Sequence, residues 1–359
     1  MSMSSLHELL RPVDGRLRIG VFRALVLGDV LCAVPVLRAL RHAFPRAELS
    51  LIGLPWAAEL AERLPHVDRF FAFPGHPGLP ERAPDLAAWP GFVQRMQAER
   101  FDLLLQLHGS GRITNPMLAT WGARHVAGFV EPAGYCAEPA LHAPWPTTGR
   151  ETERLLTLID HLGLPRQGNR LEFPLRPEDR EALAALWPGA RTRRSWVCLH
   201  PGAQLPSRRW LPERFAAIGD QLAEAGHEVI VTGTAAEAPL ADAVCRAMRA
   251  PARSLAGRTT LWTLGALIEG ARLLVCNDTG ASHVAAALGT PSVVVSLGAD
   301  VSRWAPADGE RHRVLWQPMA CRPCGFAQCP TGHGCSTGLH VADVATAVAE
   351  SLKLFRAAA

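Results

Sequence analysis

The chain has 359 residues, of which 48% are hydrophobic and 19% charged, and its formal net charge is +4. These values exclude a disordered chain and argue against a nucleic-acid-binding surface, and the length favours two domains. Lys353 is the single lysine. An arginine can therefore stand here where another protein would use lysine.

The first residues, "MSMSSLHELLRPVDG", lack the basic and apolar regions of a signal peptide. The apolar stretch 19–40 contains Arg23, Asp29, Pro35 and Arg38, which excludes a membrane span. We therefore expect a cytoplasmic protein whose nine cysteines are thiols or metal ligands, not disulfides.

The first half alternates short apolar runs with helical patterns. Predicted strands lie in "RLRIGVFRALVLG", "ELSLIG" and "DLLLQLHG", and predicted helices in "VLRALRHAF", "AAELAERL" and "FVQRMQAER". Pro35 predicts that the first of these helices begins near Ala33 or bends. A Pro/Gly-rich insertion occupies residues 73–90. The pattern is typical of a parallel sheet covered by helices.

The middle of the chain breaks this alternation. "EPAGYCAEPALHAPWPTTGR" is predicted to be a loop, "ETERLLTLIDHLGL" and residues 177–186 helices, "LEFPL" extended, and "WPGARTRRS" a linker. From Trp196 strands and helices alternate again. The prediction is two doubly wound Rossmann-like α/β domains facing a cleft, with boundaries at 1–185 and 195–340. Residues 341–359 are expected to form a C-terminal helix that packs back on the N-terminal domain.

The most informative stretch is "NDTGASHVAAALGTPSVVVSLG". Asp278, Thr279 and Gly280 follow a strand, and His283 falls in the first turn of the next helix. Free N–H groups and the helix dipole make such a position an anion site, and Gly280 allows a phosphate close approach. The alternative is that Asp278 or Thr279 caps the helix and His283 bonds locally.

Two further loops follow strands in the same half of the chain. In "LHPGAQLPSRRWLPERF", Arg208 can bind a diphosphate after the His200–Gly202 turn, or it can be a solvated surface arginine. In "VTGTAAE", Glu237 can bond ribose hydroxyls, or it can be a favourable charge in the first turn of a helix.

Asp29 in "LGDVLCAVP" follows a strand and a glycine in the first half. Its carboxylate is expected at the carboxyl edge of the first sheet. It is a candidate general base. The alternative is a helix N-cap.

The combination of "LGDVLCAVPVLRALRHAFPRAELSLI", "HPGAQLPSRRWLPERFAAIGDQL" and "NDTGASHVAAALGTPSVVVSLG" resembles glycosyltransferase family 9, the ADP-heptose:lipopolysaccharide heptosyltransferases. The resemblance implies a GT-B fold, with the acceptor on the first domain and the nucleotide-sugar on the second. It implies Asp29 as catalytic base and Arg208 in place of a diphosphate-binding lysine. The donor-binding residues that it implies are His200, Gly202, Arg208, Glu237, Thr259, Asp278, Thr279, Gly280 and His283.

The implied reaction is inverting transfer of a sugar, heptose, from ADP-heptose to a lipopolysaccharide-core or related glycan, without a catalytic metal or cofactor. The implied enzyme is a monomer in the cytoplasm, in peripheral contact with the inner membrane, with a glycolipid or oligosaccharide acceptor. Two alternatives remain: a sugar-nucleotide epimerase of the same fold, and a non-catalytic nucleotide-sugar-binding protein.

"CRPCGFAQCPTGHGC" concentrates four of the nine cysteines, Cys321, Cys324, Cys329 and Cys335. Their spacing permits a structural zinc site, although the loop between the second and third is shorter than in most zinc ribbons. The alternative is four free thiols.

Overall fold

The computed structural model describes residues 3–11, 15–192 and 195–354 and divides into two compact units, Met1–Glu172 and Phe173–Ala359. Each unit contains a six-stranded sheet in which all the strand pairs are parallel. The predicted class, two doubly wound α/β domains, is therefore confirmed. Across the described ranges, no helix is both long and apolar enough to cross a membrane.

The strands of the first unit are β1 (Arg18–Phe22), β2 (Glu48–Gly53), β3 (Arg69–Ala72), β4 (Leu103–Gln106), β5 (His125–Val130) and β6 (His142–Pro144). Its helices are α1 (Met3–Leu9), α2 (Leu27–Ala43), α3 (Ala58–Ala61), α4 (Trp89–Glu99), α5 (Thr114–Ala119) and α6 (Glu151–His161), with 3-10 turns at Pro55–Ala57 and Pro139–Leu141. The strand order β3-β2-β1-β4-β5-β6 reverses direction between β1 and β4. Ligands of such sheets bind beyond the carboxyl ends of the strands at this reversal.

The strands of the second unit are β7 (Trp196–His200), β8 (Glu228–Val231), β9 (Ala252–Ser254), β10 (Leu274–Asn277), β11 (Ser292–Val295) and β12 (His312–Leu315). Its helices are α7 (Pro177–Leu186), α8 (Gly189–Thr192), α9 (Pro212–Glu224), α10 (Ala238–Ala247), α11 (Leu261–Gly270), α12 (Gly280–Leu288), α13 (Val301–Trp304), α14 (Gly334–Thr337) and α15 (Val341–Leu354), with 3-10 turns at Pro206–Arg208 and Ala235–Glu237. The order β12-β11-β10-β7-β8-β9 reverses between β10 and β7.

Helix α2 does not begin near Ala33, the first of the two alternatives that Pro35 predicted, and the bend stays a prediction. The helix begins at Leu27 and continues through Pro35, so Asp29 lies in its first turn. Pro35 removes the hydrogen bond that an N–H at this position would donate one turn back. Eleven of the 17 residues of α2 are buried. Their packing offsets the missing bond and holds the N-terminal turn in place.

The boundary between the units lies at 172/173, earlier than the predicted 185–195. Segment 173–186 belongs to the second unit because α7 packs on α11. The Phe173 ring lies 4.9 Å from the Trp262 ring, and a Cβ at Gly265 would lie 2.3 Å from the Phe173 ring. Part of the predicted linker forms α8, and residues 193–194 of that linker lie outside the described residues.

The C-terminal helix α15 packs within the second unit, against α9, β11 and β12. Its packing on the N-terminal domain stays a prediction. Its buried side chains Val344, Ala347 and Val348 join the hydrophobic core of that unit. The apolar face of α15 is therefore covered by its own unit. Residues 355–359 of the predicted helix lie outside the described residues.

His312 at the start of β12 makes the stability of the protein depend on pH. Burial lowers its pKa from 6.5 to about 4, although Asp308 opposes the change. His312 of the unfolded chain therefore binds a proton more tightly than His312 of the folded chain. The stability of the folded chain is unaffected by protonation of His312 above pH 6.5, and it falls as the pH drops from 6.5 towards 4, because only the unfolded chain is protonated there. One pKa unit corresponds to about 1.4 kcal/mol, so we expect the free energy of unfolding to fall by about 2 kcal/mol between pH 7 and pH 5. Denaturant titrations at pH 7 and pH 5 measure this change in the free energy of unfolding. The variant His312→Asn should not show it.

Candidate functional site

In the first unit, the predicted base Asp29 lies in the first turn of α2 without capping it. Val26 occupies the N-cap position and makes no side-chain capping bond. Asp29 is instead held by Arg23, which directly follows β1. Arg23 Nη2 donates to Asp29 Oδ1 (3.2 Å), and Arg23 Nε donates to the Asp29 carbonyl oxygen (3.1 Å). The geometry thus differs from the helix-cap alternative.

The Arg23 guanidinium is fully buried and is shared between two carboxylates. Nη2 also donates to Glu151 Oε1 (2.9 Å) at the start of α6, and Nη1 donates to the Leu107 carbonyl oxygen. The Asp29 side chain is 16% exposed and that of Glu151 only 1%. These three groups carry one net negative charge when both acids are ionised, and Asp29 is the acid that reaches solvent. Of the two acids, Asp29 is therefore the one that an incoming hydroxyl group can reach.

Sequence reasoning missed both Arg23 and Glu151. Arg23 interrupts an apolar run at the end of β1, which is a signal for a paired buried charge. Glu151 is 128 residues away in the sequence, so no local pattern reveals its contact with Arg23.

In the second unit, the N-terminus of α12 carries no side-chain cap. Thr279 occupies the N-cap position with an extended backbone and accepts no first-turn N–H through its side chain. Ser282 Oγ donates to the Thr279 carbonyl oxygen (2.7 Å), which orders the turn. His283 is buried, with its ring 6.2 Å from the Trp304 ring. The helix therefore presents its positive end without a competing carboxylate cap, as an anion site requires.

His200, Gly202 and Glu237 meet beyond β7 and β8. His200 Nδ1 lies 2.9 Å from Thr232 Oγ1, and burial lowers the His200 pKa while the Glu237 charge opposes this. Glu237 accepts bonds from the Thr234 N–H and hydroxyl, both at 2.9 Å. A Cβ at Gly202 would lie 2.3 Å from Glu237 Oε1. Glycine at 202 is therefore what allows the carboxylate to occupy this position, where it also makes a capping box.

Arg208 is the last residue of the turn Pro206–Arg208, and one of its hydrogen-bond donors is left unused by the described residues. Its Nη2 donates to the Cys324 carbonyl oxygen (2.7 Å), whereas its Nε is buried and has no hydrogen-bond partner among the described residues. A ligand oxygen can accept from this N–H. Thr259 is half-buried and directly precedes Thr260, whose hydroxyl caps α11.

Asp278 belongs to a polar group that the sequence did not indicate. Asp278 Oδ2 accepts from Ser296 Oγ (3.2 Å), and Arg322 Nη2 donates to the same hydroxyl (3.1 Å). Arg322 also donates through Nε to the Ala299 carbonyl oxygen (3.2 Å). Burial lowers the Arg322 pKa, and Asp278 is among the groups that oppose this. Arg322 thus fixes residues near the four cysteines to the carboxyl ends of β10 and β11.

Residues 321–335, here the cysteine segment, are fastened to the loop that carries Arg208. The Cys324 N–H donates to the Gly298 carbonyl oxygen (2.6 Å). Ser207 Oγ donates to the Phe326 carbonyl oxygen (2.5 Å), and His333 Nε2 bonds the Ser207 carbonyl oxygen (2.6 Å). The cysteine segment therefore braces the diphosphate-binding candidate Arg208.

The four cysteines are all unpaired thiols. Within the described ranges, no three His, Cys, Asp or Glu side chains are arranged to hold one metal ion. Cys329 Sγ instead accepts from the His333 N–H (3.2 Å), and hydrogen bonds from the backbone and side chain of Thr331 lower the pKa of this thiol. The zinc site stays a prediction, and the described side chains of the cysteine segment are not arranged to bind a zinc ion.

Comparison with known proteins identifies similar sequences and similar folds. The sequence profile "Glycosyltransferase family 9 (heptosyltransferase)" matches residues 90–334. Lipopolysaccharide heptosyltransferase 2 of Salmonella typhimurium is 25% identical over 308 residues, covering 80% of this chain and 85% of that protein. Two solved structures share the fold, each at 19% identity. A family 9 glycosyltransferase of Veillonella parvula has a TM-score of 0.80, covering 94% of this chain and 97% of the other, and the Escherichia coli ADP-heptose lps heptosyltransferase II has a TM-score of 0.72, covering 94% and 99%.

The fold and the matches define this protein as a glycosyltransferase of the GT-B type. The profile covers more than half of the chain, and the chain belongs to glycosyltransferase family 9, the heptosyltransferases.

Proposed function

We propose that the protein transfers heptose from ADP-heptose to a sugar of the lipopolysaccharide core, with inversion at the anomeric carbon. The observation that carries the proposal is the Asp29 carboxylate. It is held by the buried Arg23, partly exposed to solvent, and located beside the strand reversal of the first sheet. The relatives support the donor and the acceptor, since they include lipopolysaccharide heptosyltransferases and an ADP-heptose-dependent enzyme.

The second unit supplies the donor-binding groups of the proposed mechanism. The uncapped N-terminus of α12 and the unpartnered Nε of Arg208 bind the diphosphate. Glu237 accepts bonds from the ribose hydroxyls. These donors are fixed before the reaction, so they stabilise the negative charge that the leaving ADP acquires without further reorganisation.

The first unit supplies the base. Asp29 accepts the proton of the acceptor hydroxyl as that oxygen attacks the anomeric carbon. The new C–O bond forms as the bond between the anomeric carbon and the diphosphate breaks, and ADP leaves with the electron pair. A single displacement inverts the anomeric centre.

The test is an incubation of the protein with ADP-heptose, with and without a heptose-containing core oligosaccharide. We expect ADP release and a new glycoside of inverted configuration, by NMR, when both are present. An altered donor without acceptor would favour an epimerase instead. No reaction and no affinity for ADP-heptose would refute the proposal.

Transfer is expected to continue in EDTA. The proposed charge stabilisation comes from Arg208 and the α12 N-terminus, and the sequence contains no D-x-D carboxylate pair for magnesium. The measurement is the rate of ADP release before and after chelation, followed by addition of Mg²⁺. A rate that collapses and returns with Mg²⁺ would contradict the metal-free mechanism. A loss of thermal stability alone would point to metal in the cysteine segment.

We further infer that the enzyme acts as a monomer at the cytoplasmic face of the inner membrane. A lipopolysaccharide-core acceptor is anchored in lipid, so an enzyme with this substrate works where the lipid surface presents it.

A further inference from the structure

The insertion between β3 and α4, residues 73–88, folds back onto the carboxyl edge of the first sheet. Leu79 is buried in a hydrophobic cluster with Phe73, and the Asp85 N–H donates to the Pro74 carbonyl oxygen (3.0 Å). These contacts close the insertion into a compact loop. The loop carries Glu81 towards the end of β4.

Glu81 faces His108, which lies two residues beyond β4. Glu81 Oε1 is 3.6 Å from His108 Nε2, slightly longer than a direct hydrogen bond. The His108 ring stacks on the Phe22 ring, with centroids 5.3 Å apart and planes inclined by 15°. Phe22 directly precedes Arg23, and Arg23 bonds the carbonyl oxygen of Leu107. The Glu81–His108 pair therefore lies next to Arg23, the residue that holds Asp29.

Both members of the pair have unused hydrogen-bonding capacity. Glu81 Oε2 and His108 Nδ1 are buried and have no hydrogen-bond partner within the described ranges. An unpaired buried polar atom is unfavourable, so each requires an explanation. The His108 side chain is 6% exposed and that of Glu81 23%, so the pair is open to solvent on the Glu81 side.

The Glu81 carboxylate also adds a negative charge near the two acids that share Arg23. Burial raises the Glu81 pKa, but contact with His108 and the charge of Arg23 outweigh burial and lower it overall. Near neutral pH, Glu81 is thus a carboxylate within electrostatic range of Arg23, whose guanidinium is already shared by Asp29 and Glu151. A carboxylate on a bound sugar would be repelled here, whereas sugar hydroxyls would donate to Glu81 and bond His108.

We propose that Glu81 and His108 form a subsite that binds the hydroxyl groups of an uncharged acceptor sugar and excludes sugar acids. The inference rests on the proposed function, because it places the acceptor beside Asp29. Ring hydroxyls donate to Glu81 Oε2 and bond His108 Nδ1 from the partly exposed Glu81 side of the pair. The insertion, which no local pattern explained, then selects the acceptor.

The experiment compares two probes, a methyl heptopyranoside and the corresponding methyl hepturonoside, which adds a carboxylate. Binding of each to the full chain is measured by ligand-observed NMR without donor, and transfer from ADP-heptose is measured separately. We expect the neutral probe to bind at least about tenfold more tightly than the acid. Glu81→Gln should weaken the neutral probe and bring the two affinities together, with the KM for ADP-heptose unchanged.

Glu8→Gln is the matched control. Glu8 is an exposed residue of α1. Its neighbour His7 contacts Phe44 at the C-terminal end of α2, whereas Asp29 lies at the N-terminal end. This variant should keep the full discrimination between the two probes. Equal binding of the two probes, absence of binding of the neutral probe, or unchanged discrimination in Glu81→Gln would each overturn the inference. Failure of transfer with intact probe binding would instead count against the proposed function alone.

Discussion

Replacement of Asp29 by asparagine is expected to lower kcat by about 10²–10⁴-fold, the usual contribution of a general base. The asparagine amide has nearly the same size and can still accept a bond from Arg23, but it cannot take the proton of the acceptor hydroxyl. The affinity for ADP should hardly change, because the donor-binding candidates all lie in the second unit. The measurements are kcat from ADP release and the Kd for ADP by calorimetry.

Glu151→Gln separates catalysis from the maintenance of an ion pair. Asp29→Asn and Glu151→Gln each leave Arg23 with one carboxylate instead of two. Both should therefore lose similar thermal stability through the weakened pair, a loss that thermal unfolding measures. Only Asp29→Asn also removes the group that accepts the proton. If kcat falls equally in the two variants, Asp29 is part of a structural clamp and the base is another residue.

Gly280→Val is expected to weaken ADP binding by at least about 100-fold while the chain remains folded. Gly280 is the first residue of α12, where the N–H groups are proposed to bind the diphosphate. A branched side chain here fills the space that the phosphate needs and costs several charge-assisted hydrogen bonds. Gly280 is not among the described residues with positive φ, so valine can adopt its backbone without strain. Calorimetry with ADP gives the affinity.

Ala286→Val supplies the comparison for this result. Ala286 lies in the same helix, two turns from its N-terminus, and is half-buried. The variant places the same valine side chain in α12, although it adds two carbons where Gly280→Val adds three, and it does so away from the proposed diphosphate site. It should bind ADP normally. Normal ADP affinity in folded Gly280→Val would place the diphosphate elsewhere.

The fold class and the main candidate residues follow from local sequence patterns. Apolar runs alternate with amphipathic segments, which is sufficient to predict parallel sheets covered by helices. The residues after each strand can be identified too, because a strand's end is marked by the polar or glycine residues that follow it. Asp29, His200 and Asp278 were recognised in this way. They lie beside the strands where the two sheets reverse, β1 and β4, or β7 and β10.

The short edge strands and the packing partners were decided by tertiary structure. β3 and β6 have four and three residues, and β6 includes Pro144, so neither has a clear periodic signal. The packing partners of α15 within the second unit were not predicted, for a related reason. An amphipathic pattern shows that a helix has an apolar face, but it does not identify the core that the face joins.

The charged contacts of the site were also decided by tertiary structure. Arg23 meets Glu151 from 128 positions away, Glu81 reaches His108 from an insertion without periodicity, and Arg322 bonds Ser296 from the cysteine segment. Parallel strands bring their carboxyl ends to one edge of a sheet whatever the length of the chain between them. The sequence by itself therefore determined which residues stand at these edges. Only the folded chain determined which of them form ion pairs or hydrogen bonds, because those pairings depend on distances of a few ångström between segments that are distant in the sequence.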